Sequence, residues 1–198
     1  SGGFAKVEKA KWREIDVATK VITIDKDYKG KNKQELFEQE VSMNYILRHP
    51  NIVQFLGVVM KSRTMVMEYM NGGTLRELLS QRNVLNSFEE NPMLPLKIAM
   101  DIALALLYLH KSSILHRDLT SSNVLLQNPL DLENGKPVDY RNCKSKISDF
   151  GISKVKNGSS TPRVGNVSHM APEVYQSKPY TEASDVFSYG IILWELIT

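Results

Sequence analysis

Two short motifs separated by a long gap constrain the fold of this chain more than any other feature. The first is the eight-residue string His116-Arg117-Asp118-Leu119-Thr120-Ser121-Ser122-Asn123, and the second is Asp149-Phe150-Gly151. One carboxylate can accept a proton from a hydroxyl, while an amide and a second carboxylate offer the oxygen atoms that Mg²⁺ prefers. The two motifs therefore predict a phosphoryl-transfer site, with Asp118 as the proton acceptor and Asn123 and Asp149 as metal ligands.

A glycine-rich segment near the start of the chain precedes a lysine on a predicted strand. The segment is Ser1-Gly2-Gly3-Phe4-Ala5-Lys6-Val7, and the strand carries Val17-Ala18-Thr19-Lys20. Glycines allow backbone N–H groups to approach phosphate oxygens without a Cβ in the way. Lys20 needs a counter-ion to stay charged and aimed at phosphates, and Glu40 on the following helix is the candidate. We therefore expect a Lys20–Glu40 ion pair.

The hydrophobic patterns predict an α+β fold built in two parts. Residues 1–70 have the character of a small sheet with one helix, and residues 71–198 are mainly helical. A turn at 71–73 is expected to be a flexible hinge, and residues 127–145 are expected to form a surface loop. Strands are predicted over 17–22 and 65–67, and helices over 34–47, 96–109 and 185–197.

Composition limits the partners that the sequence suggests. The net charge of +3 gives no argument for binding nucleic acid or a membrane surface. The apolar run 102–109 has about half the length that a membrane span needs. Cys143 is the only cysteine, which excludes an internal disulfide and fits a reducing compartment, so we expect a cytoplasmic protein.

The motifs are collinear over the whole chain, which resembles the eukaryotic protein kinase family. Within it, Gly72-Gly73-Thr74-Leu75, the string from His116 to Asn123, and His169-Met170-Ala171-Pro172-Glu173-Val174 look most like the tyrosine-kinase-like group, most of which phosphorylate Ser and Thr. The resemblance implies a two-lobed kinase domain with a small N-lobe at 1–70 and a partial C-lobe at 71–198. It also implies a fragment, because the first glycine of the loop and the last C-lobe helices are missing.

The resemblance further implies ATP and Mg²⁺ as cofactors and a protein as substrate. Catalytic roles fall on Lys20, Glu40, Arg117, Asp118, Asn123 and Asp149. The adenine would lie between Val7 and Ala18 on one side and Leu125 on the other, with hydrogen bonds to the backbone of Glu68 and Met70 behind the gatekeeper Met67. The remaining nucleotide contacts would come from Gly2, Gly3, Phe4, Ala5, Thr74 and Ser122.

Other residues take supporting roles by the same resemblance. His116 and Phe150 would stack in an apolar column between the lobes, and Asp185 would brace the catalytic string. Arg117 resembles the arginine of kinases that are switched by phosphorylation of the activation segment. An upstream kinase would then act on the hydroxyl cluster Ser159, Ser160 and Thr161.

Three positions depart from the family pattern. Thr120 replaces the lysine that Ser/Thr kinases place near the γ-phosphate, and Asn166 replaces a threonine. Asn44 occupies an apolar position of the column between the lobes. The expected function is a Ser/Thr protein kinase, with two alternatives left open: a pseudokinase that binds nucleotide but transfers poorly, and a tyrosine or dual-specificity kinase. The presence of all five polar site residues (Lys20, Glu40, Asp118, Asn123 and Asp149) favours an active enzyme.

Overall fold

A four-stranded antiparallel sheet with one helix forms the first part of the molecule. The computed structural model describes residues 5–22, 33–81, 84–130, 140–151, 153–155 and 166–198. The strand order is β1-β2-β4-β3. The elements are β1 (Ala5–Trp12), β2 (Ile15–Ile22), α1 (Lys33–Ile46), β3 (Phe55–Val59) and β4 (Thr64–Glu68). The strands predicted over 17–22 and 65–67 and the helix predicted over 34–47 are confirmed within a few residues.

Helix α1 packs on the sheet through a small apolar cluster. Phe37 of α1 meets Phe55 of β3 and Met65 of β4, and all three side chains are buried. Burying three large side chains stabilises this part by several kcal/mol, at roughly 1.5–3 kcal/mol each. The cluster fixes the face of α1 that points to the sheet, and Glu40 lies on that face.

The second part is mainly helical and is built around one long helix. The helices are α2 (Leu75–Leu79), α3 (Val84–Glu90), α4 (Met93–Lys111), α5 (Pro172–Tyr175) and α6 (Glu182–Glu195). Leu94, Ile98, Ile102 and Leu109 recur at helical spacing along α4 and are almost completely buried in the main core. The helix predicted over 185–197 begins earlier, because Thr181 closes a capping box with Ser184.

The length of α4 changes the expectation drawn from residues 102–109. The helix has 19 residues and is long and apolar enough to cross a membrane by length and composition alone. Its buried stripe belongs to the main core, and a core helix of a soluble fold passes the same test. The helix is therefore weak support for a membrane span.

Two short strand pairs of the second part flank the catalytic string. Strand β5 (Ile114–Leu115) pairs with β8 (Lys154–Val155), and β6 (Val124–Leu126) pairs with β7 (Ser145–Ile147). The backbone next to Ile52, in the segment that follows α1, joins β7. The N–H of Val53 donates to Ile147 O at 3.0 Å, and the N–H of Ile147 donates to Asn51 O at 2.9 Å. Residues 51–53 are thus attached to the second part.

The turn at 71–73 is more constrained than a free hinge. The N–H groups of Asn71 and Gly72 donate to carbonyls that follow β6 and end it, and Gly73 O accepts from Leu126 N–H at 2.9 Å. A Cβ on Gly72 would stand 2.3 Å from the backbone oxygen of Asn128, and Gly73 has a φ of +73°. Gly72 is required because a Cβ would come too close to a neighbouring backbone oxygen, and Gly73 is required because of its positive φ. Neither glycine is needed for flexibility. Of the loop predicted over 127–145, residues 131–139 lie outside the described residues, and β7 begins at its last position.

Candidate active site

Lys20 lies at the centre of the site and contacts two carboxylates. It sits on β2 opposite Met65 of β4 and is 7% exposed. Its Nζ donates to Glu40 Oε1 at 2.6 Å and to Asp149 Oδ1 at 2.8 Å. The ion pair predicted from the sequence is present. The contact with Asp149 was not predicted, and it joins the sheet to the second motif.

Opposing effects set the charge of this cluster. Burial alone would lower the pKa of Lys20, but the nearby carboxylates of Glu40 and Asp149 outweigh burial and raise it above its usual value. Burial would raise the pKa of Asp149, but the Lys20 ammonium and the Gly151 N–H hold it below its ordinary value. Lys20 is therefore a charged ammonium at neutral pH, and Asp149 is an ionised carboxylate.

Asn123 of the catalytic string and the backbone of Asn166 hold Asp118 from two sides. Residues Ser121–Asn123 form a single 3₁₀ turn, which brings the Asn123 amide back to Asp118. Asn123 Nδ2 donates to Asp118 O at 2.7 Å and to Asp118 Oδ2 at 3.2 Å. The backbone N–H of Asn166 donates to Asp118 Oδ1 at 2.9 Å. Donors on both oxygens orient the carboxylate and suit it to accept a hydrogen bond from a substrate hydroxyl.

Asn123 and Asp149 are linked through the residue between their elements. The backbone N–H and the hydroxyl of Ser148 both donate to Asn123 O, at 2.9 and 3.0 Å. The Asp149 side chain is 45% exposed, and its backbone has a φ of +64°. One amide oxygen and one carboxylate fit Mg²⁺, which keeps several water or phosphate ligands and needs few from the protein. Among the described residues, no group of three or more His, Cys, Asp or Glu side chains is placed to hold a metal.

A fully buried carboxylate fixes the backbone of the catalytic string. The N–H groups of His116 and Arg117 each donate to Asp185 at 3.0 Å. Tyr180 OH donates to the same carboxylate at 2.6 Å, and His110 Nε2 lies 2.9 Å from it. Although burial opposes it, these hydrogen bonds lower the pKa of Asp185 below its ordinary value. The sequence pointed to Asp185 but missed Tyr180 and His110.

The apolar column between the two parts contains the residues named from the sequence. His116 and Phe150 are buried and meet edge to face, with ring centroids 5.1 Å apart. Asn44 is buried as well, and its Nδ2 donates to Glu40 O at 2.9 Å in the preceding helical turn. This hydrogen bond satisfies a donor of the amide and explains how a polar residue is accommodated there.

The described residues that the resemblance assigns to the nucleotide lie on strands β1, β2 and β4, on the segment after β4 and around β6. Sheet pairing puts Val7 of β1 opposite Lys20, and Ala18 of β2 opposite Met67 of β4. Leu125 forms an isolated bridge with Thr74, whose hydroxyl caps α2. Further positions are the first residue of β1 (Ala5), the last residue of β4 (Glu68), buried Met70 and exposed Ser122. Gly2, Gly3 and Phe4 lie outside the described residues.

The segment expected to be phosphorylated also lies outside the described residues. Ser159, Ser160 and Thr161 are not among the described residues, so their role stays a prediction.

The Arg117 guanidinium lies 5.8 Å from the centre of the Tyr180 ring. Thr120 is 4% exposed, and the Asn166 side chain accepts from Ser168 N–H at 3.1 Å. Both departures from the family pattern are therefore built into the local packing.

Comparisons with known proteins agree with this geometry. The profile of the family described as protein tyrosine and serine/threonine kinase matches residues 1–198. The chain is 43% identical over 206 residues to the dual specificity protein kinase splA of Dictyostelium discoideum, covering all of this chain and 8% of the relative. It is 37% identical to the seven transmembrane domain-containing tyrosine-protein kinase 1 of the same organism, covering all of this chain and 28% of that relative.

A plant protein is similar as well. The serine/threonine-protein kinase CTR1 of Arabidopsis thaliana is 36% identical over 205 residues, covering all of this chain and 23% of the relative. The chain thus spans between about a tenth and a third of the length of these relatives. The match over the whole chain and the hydrogen-bonded site lead to one conclusion: the chain belongs to the protein kinase family.

Proposed function

We propose that this domain transfers the γ-phosphate of ATP, with Mg²⁺, to Ser and Thr hydroxyls of protein substrates. The observation that carries the proposal is the polar network of the cleft, in which Lys20 contacts Glu40 and Asp149 while Asp118 is held by Asn123. The network contains a lysine with its carboxylate partner, a proton acceptor and two candidate metal ligands, which are parts that phosphoryl transfer uses. The relationship to a kinase named as Ser/Thr-specific supports the acceptor class.

Each residue has a distinct task in the proposed reaction. Lys20 neutralises phosphate oxygens, and Glu40 keeps it in place by a buried 2.6 Å contact. Mg²⁺, held through Asn123 and Asp149, would neutralise charge on the phosphate chain. Asp118 orients the substrate hydroxyl and accepts its proton as the new bond forms, a role for which its fixed negative charge matters most.

Contacts on its backbone and on its side chain support Asp118. Asp185 fixes the backbone on its N-terminal side, and the amide of Asn123 fixes its carboxylate. A group that is already oriented does not have to be reorganised in the transition state, which is how enzymes gain much of their rate. The hydrogen bonds that already orient Asp118 support an active enzyme over a pseudokinase.

A dual-specificity kinase is the second candidate, and it rests on Thr120 and Asn166. Threonine carries no charge, so position 120 offers no cation to the γ-phosphate. Losing such a cation weakens stabilisation of the spread negative charge by roughly 2.7–4 kcal/mol if no other donor replaces it. The relative that is 43% identical is named as a dual specificity kinase.

The decisive experiment compares phosphate transfer by the full-length protein and by Asp118→Asn. The wild-type protein should phosphorylate a generic protein substrate with Mg-ATP, and the variant should lose about a thousandfold or more in kcat. Asp16→Asn is the matched control, because it makes the same chemical change at a surface carboxylate that pairs with Lys9 and Lys11. Equal transfer by the wild type and Asp118→Asn would refute the proposed mechanism.

Two further measurements separate the alternatives. Phosphoamino-acid analysis of the product should show phosphoserine and phosphothreonine, and phosphotyrosine beside them would establish dual specificity. Nucleotide binding should survive in Asp118→Asn, because Lys20 and the sheet are unchanged. A wild-type protein that binds ATP but transfers no phosphate would establish the pseudokinase alternative.

A further inference from the structure

A second cavity lies outside the nucleotide cleft, where the end of α1, the segment before β3 and strand β7 meet. Its volume is about 280 Å³. Leu47, Pro50 and Ile52 give it an apolar wall, and two of these side chains are almost completely buried. None of the residues that line it is acidic. Pro50 is the exposed member of this wall, and a cavity of this volume can hold a small ligand with part of its hydrocarbon surface buried.

Three basic side chains also line this cavity, and Arg48 is the most available of them. Its Nη1 donates to Leu47 O at 3.0 Å, and its guanidinium carbon lies 5.8 Å from the Tyr45 ring centre. Among the described residues no carboxylate pairs with Arg48. A guanidinium has five N–H donors in a planar fork, so it can still receive a carboxylate in two-point geometry.

His49 contributes a second donor of defined orientation. The N–H of Asn51 donates to His49 Nδ1 at 3.1 Å, so a neutral ring carries its proton on Nε2. The ring stacks on Tyr108 with centroids 5.1 Å apart, which fixes its plane. Burial lowers the pKa of His49 below its ordinary value, so the neutral donor form predominates at neutral pH.

Lys146 supplies a third donor, and its charge is partly compensated. Its side chain is 9% exposed, and Nζ contacts both carboxylate oxygens of Glu68 at 2.5 and 2.7 Å. Glu68 also accepts from the Gln54 N–H at 2.6 Å. An ammonium has three N–H donors, so one remains for a ligand after the two contacts with Glu68. Because the lining of the cavity offers more hydrogen-bond donors than acceptors, it favours an anionic ligand.

We propose that this cavity binds an organic carboxylate, with the carboxylate on Arg48 and its neighbouring donors and the apolar body against exposed Pro50 and the small exposed parts of Leu47 and Ile52. Such a ligand would touch both the turn after α1 and strand β7. Binding in the cavity does not rest on the proposed function.

The test uses naphthoate as the probe and uncharged naphthamide as its isosteric control. Calorimetry on the full-length protein should show that naphthoate binds and that naphthamide binds at least about tenfold more weakly, since a charge-assisted hydrogen bond is lost. Arg48→Gln should weaken naphthoate by about tenfold and leave naphthamide unchanged. Arg76→Gln, the same change at an exposed arginine on α2, should alter neither.

Three outcomes would overturn the proposed site: absence of naphthoate binding, equal affinities for the two probes, or equal effects of Arg48→Gln and Arg76→Gln. Retained ATP binding by Arg48→Gln would show that this variant is folded. Failure of phosphate transfer by the wild-type protein would refute the proposed function and leave the calorimetric result standing.

Discussion

Replacing Lys20 by Met should cost more stability than removing both members of its ion pair. The Glu40 side chain is 6% exposed, and Lys20 is the cation that it contacts. Leaving one buried charge without its partner costs about 3–5 kcal/mol, whereas replacing a buried pair by uncharged groups of similar size is often neutral. We therefore expect Lys20→Met to lower the unfolding free energy by about 3–5 kcal/mol, and the double variant Lys20→Met/Glu40→Gln to recover about half of that loss.

The loss in Lys20→Met should also depend on pH. Burial raises the pKa of Glu40 above its ordinary value of 4.5, and without Lys20 no cation in contact opposes it. A carboxyl whose pKa is raised by folding contributes stability below its unfolded pKa, and this stability is lost as pH rises through the folded pKa. The destabilisation should therefore grow as the pH rises above the ordinary pKa of 4.5, and the double variant should show no such growth.

The assay is hydrogen–deuterium exchange of α1 and β2 in the full-length protein, read by mass spectrometry. It reports local stability without requiring that the domain be studied alone. Asp16→Asn serves as the control for a surface ion pair, where a change within about 1 kcal/mol is expected. A double variant at least as unstable as Lys20→Met, or a loss that does not change with pH, would refute the reasoning.

Three further predictions concern packing and hydrogen bonding. Gly72→Ala should destabilise the domain by about 1–3 kcal/mol, because its Cβ would stand 2.3 Å from a backbone oxygen. Gly190→Ala, which places its Cβ in open space on α6, should stabilise the domain by about 0.5–1 kcal/mol. Thermal unfolding that ranks the two variants otherwise would contradict the geometry. Tyr180→Phe should weaken the hold of Asp185 on the catalytic string by about 1.5–3 kcal/mol, seen as faster amide exchange there, and unchanged exchange would argue against it. Burial raises the pKa of Cys143 to about 11, so peptide mapping should find it unalkylated by iodoacetamide at about pH 8 unless urea is added; rapid labelling of the native protein would contradict this.

The sequence allowed the fold class and the main residues of the site to be predicted because both are carried by short motifs. The spacing inside the catalytic string brings Asn123 back to Asp118 within a single turn, so local sequence determines that contact. The Lys20–Glu40 pair could be predicted because its two members lie on one strand and on the helix that follows it. In both cases few residues separate the partners, and few conformations have to be excluded.

Contacts between distant segments could not be predicted in the same way. Lys20 reaches Asp149 across 129 positions of the chain, and His110 reaches Asp185 across 75. These two contacts depend on the packing of several elements at once, which no single stretch of sequence encodes. The hydrogen bonds of Asn44 and Tyr180 are local, but they depend on side-chain orientations that the hydrophobic pattern does not specify.

The attachment of residues 51–53 to β7 has a mechanical consequence. The end of α1 is fixed to the second part of the molecule by two backbone hydrogen bonds, at 2.9 and 3.0 Å. Any swing of α1 then turns about this end, and Glu40 lies about 9 Å along the helix axis from Ile46, at about 1.5 Å per residue. Over a lever of that length, a rotation of about 15° displaces Glu40 by about 2.4 Å. Such a displacement is enough to separate the Lys20 ammonium from the Glu40 carboxylate, while the end of α1 that leads to β7 stays in place.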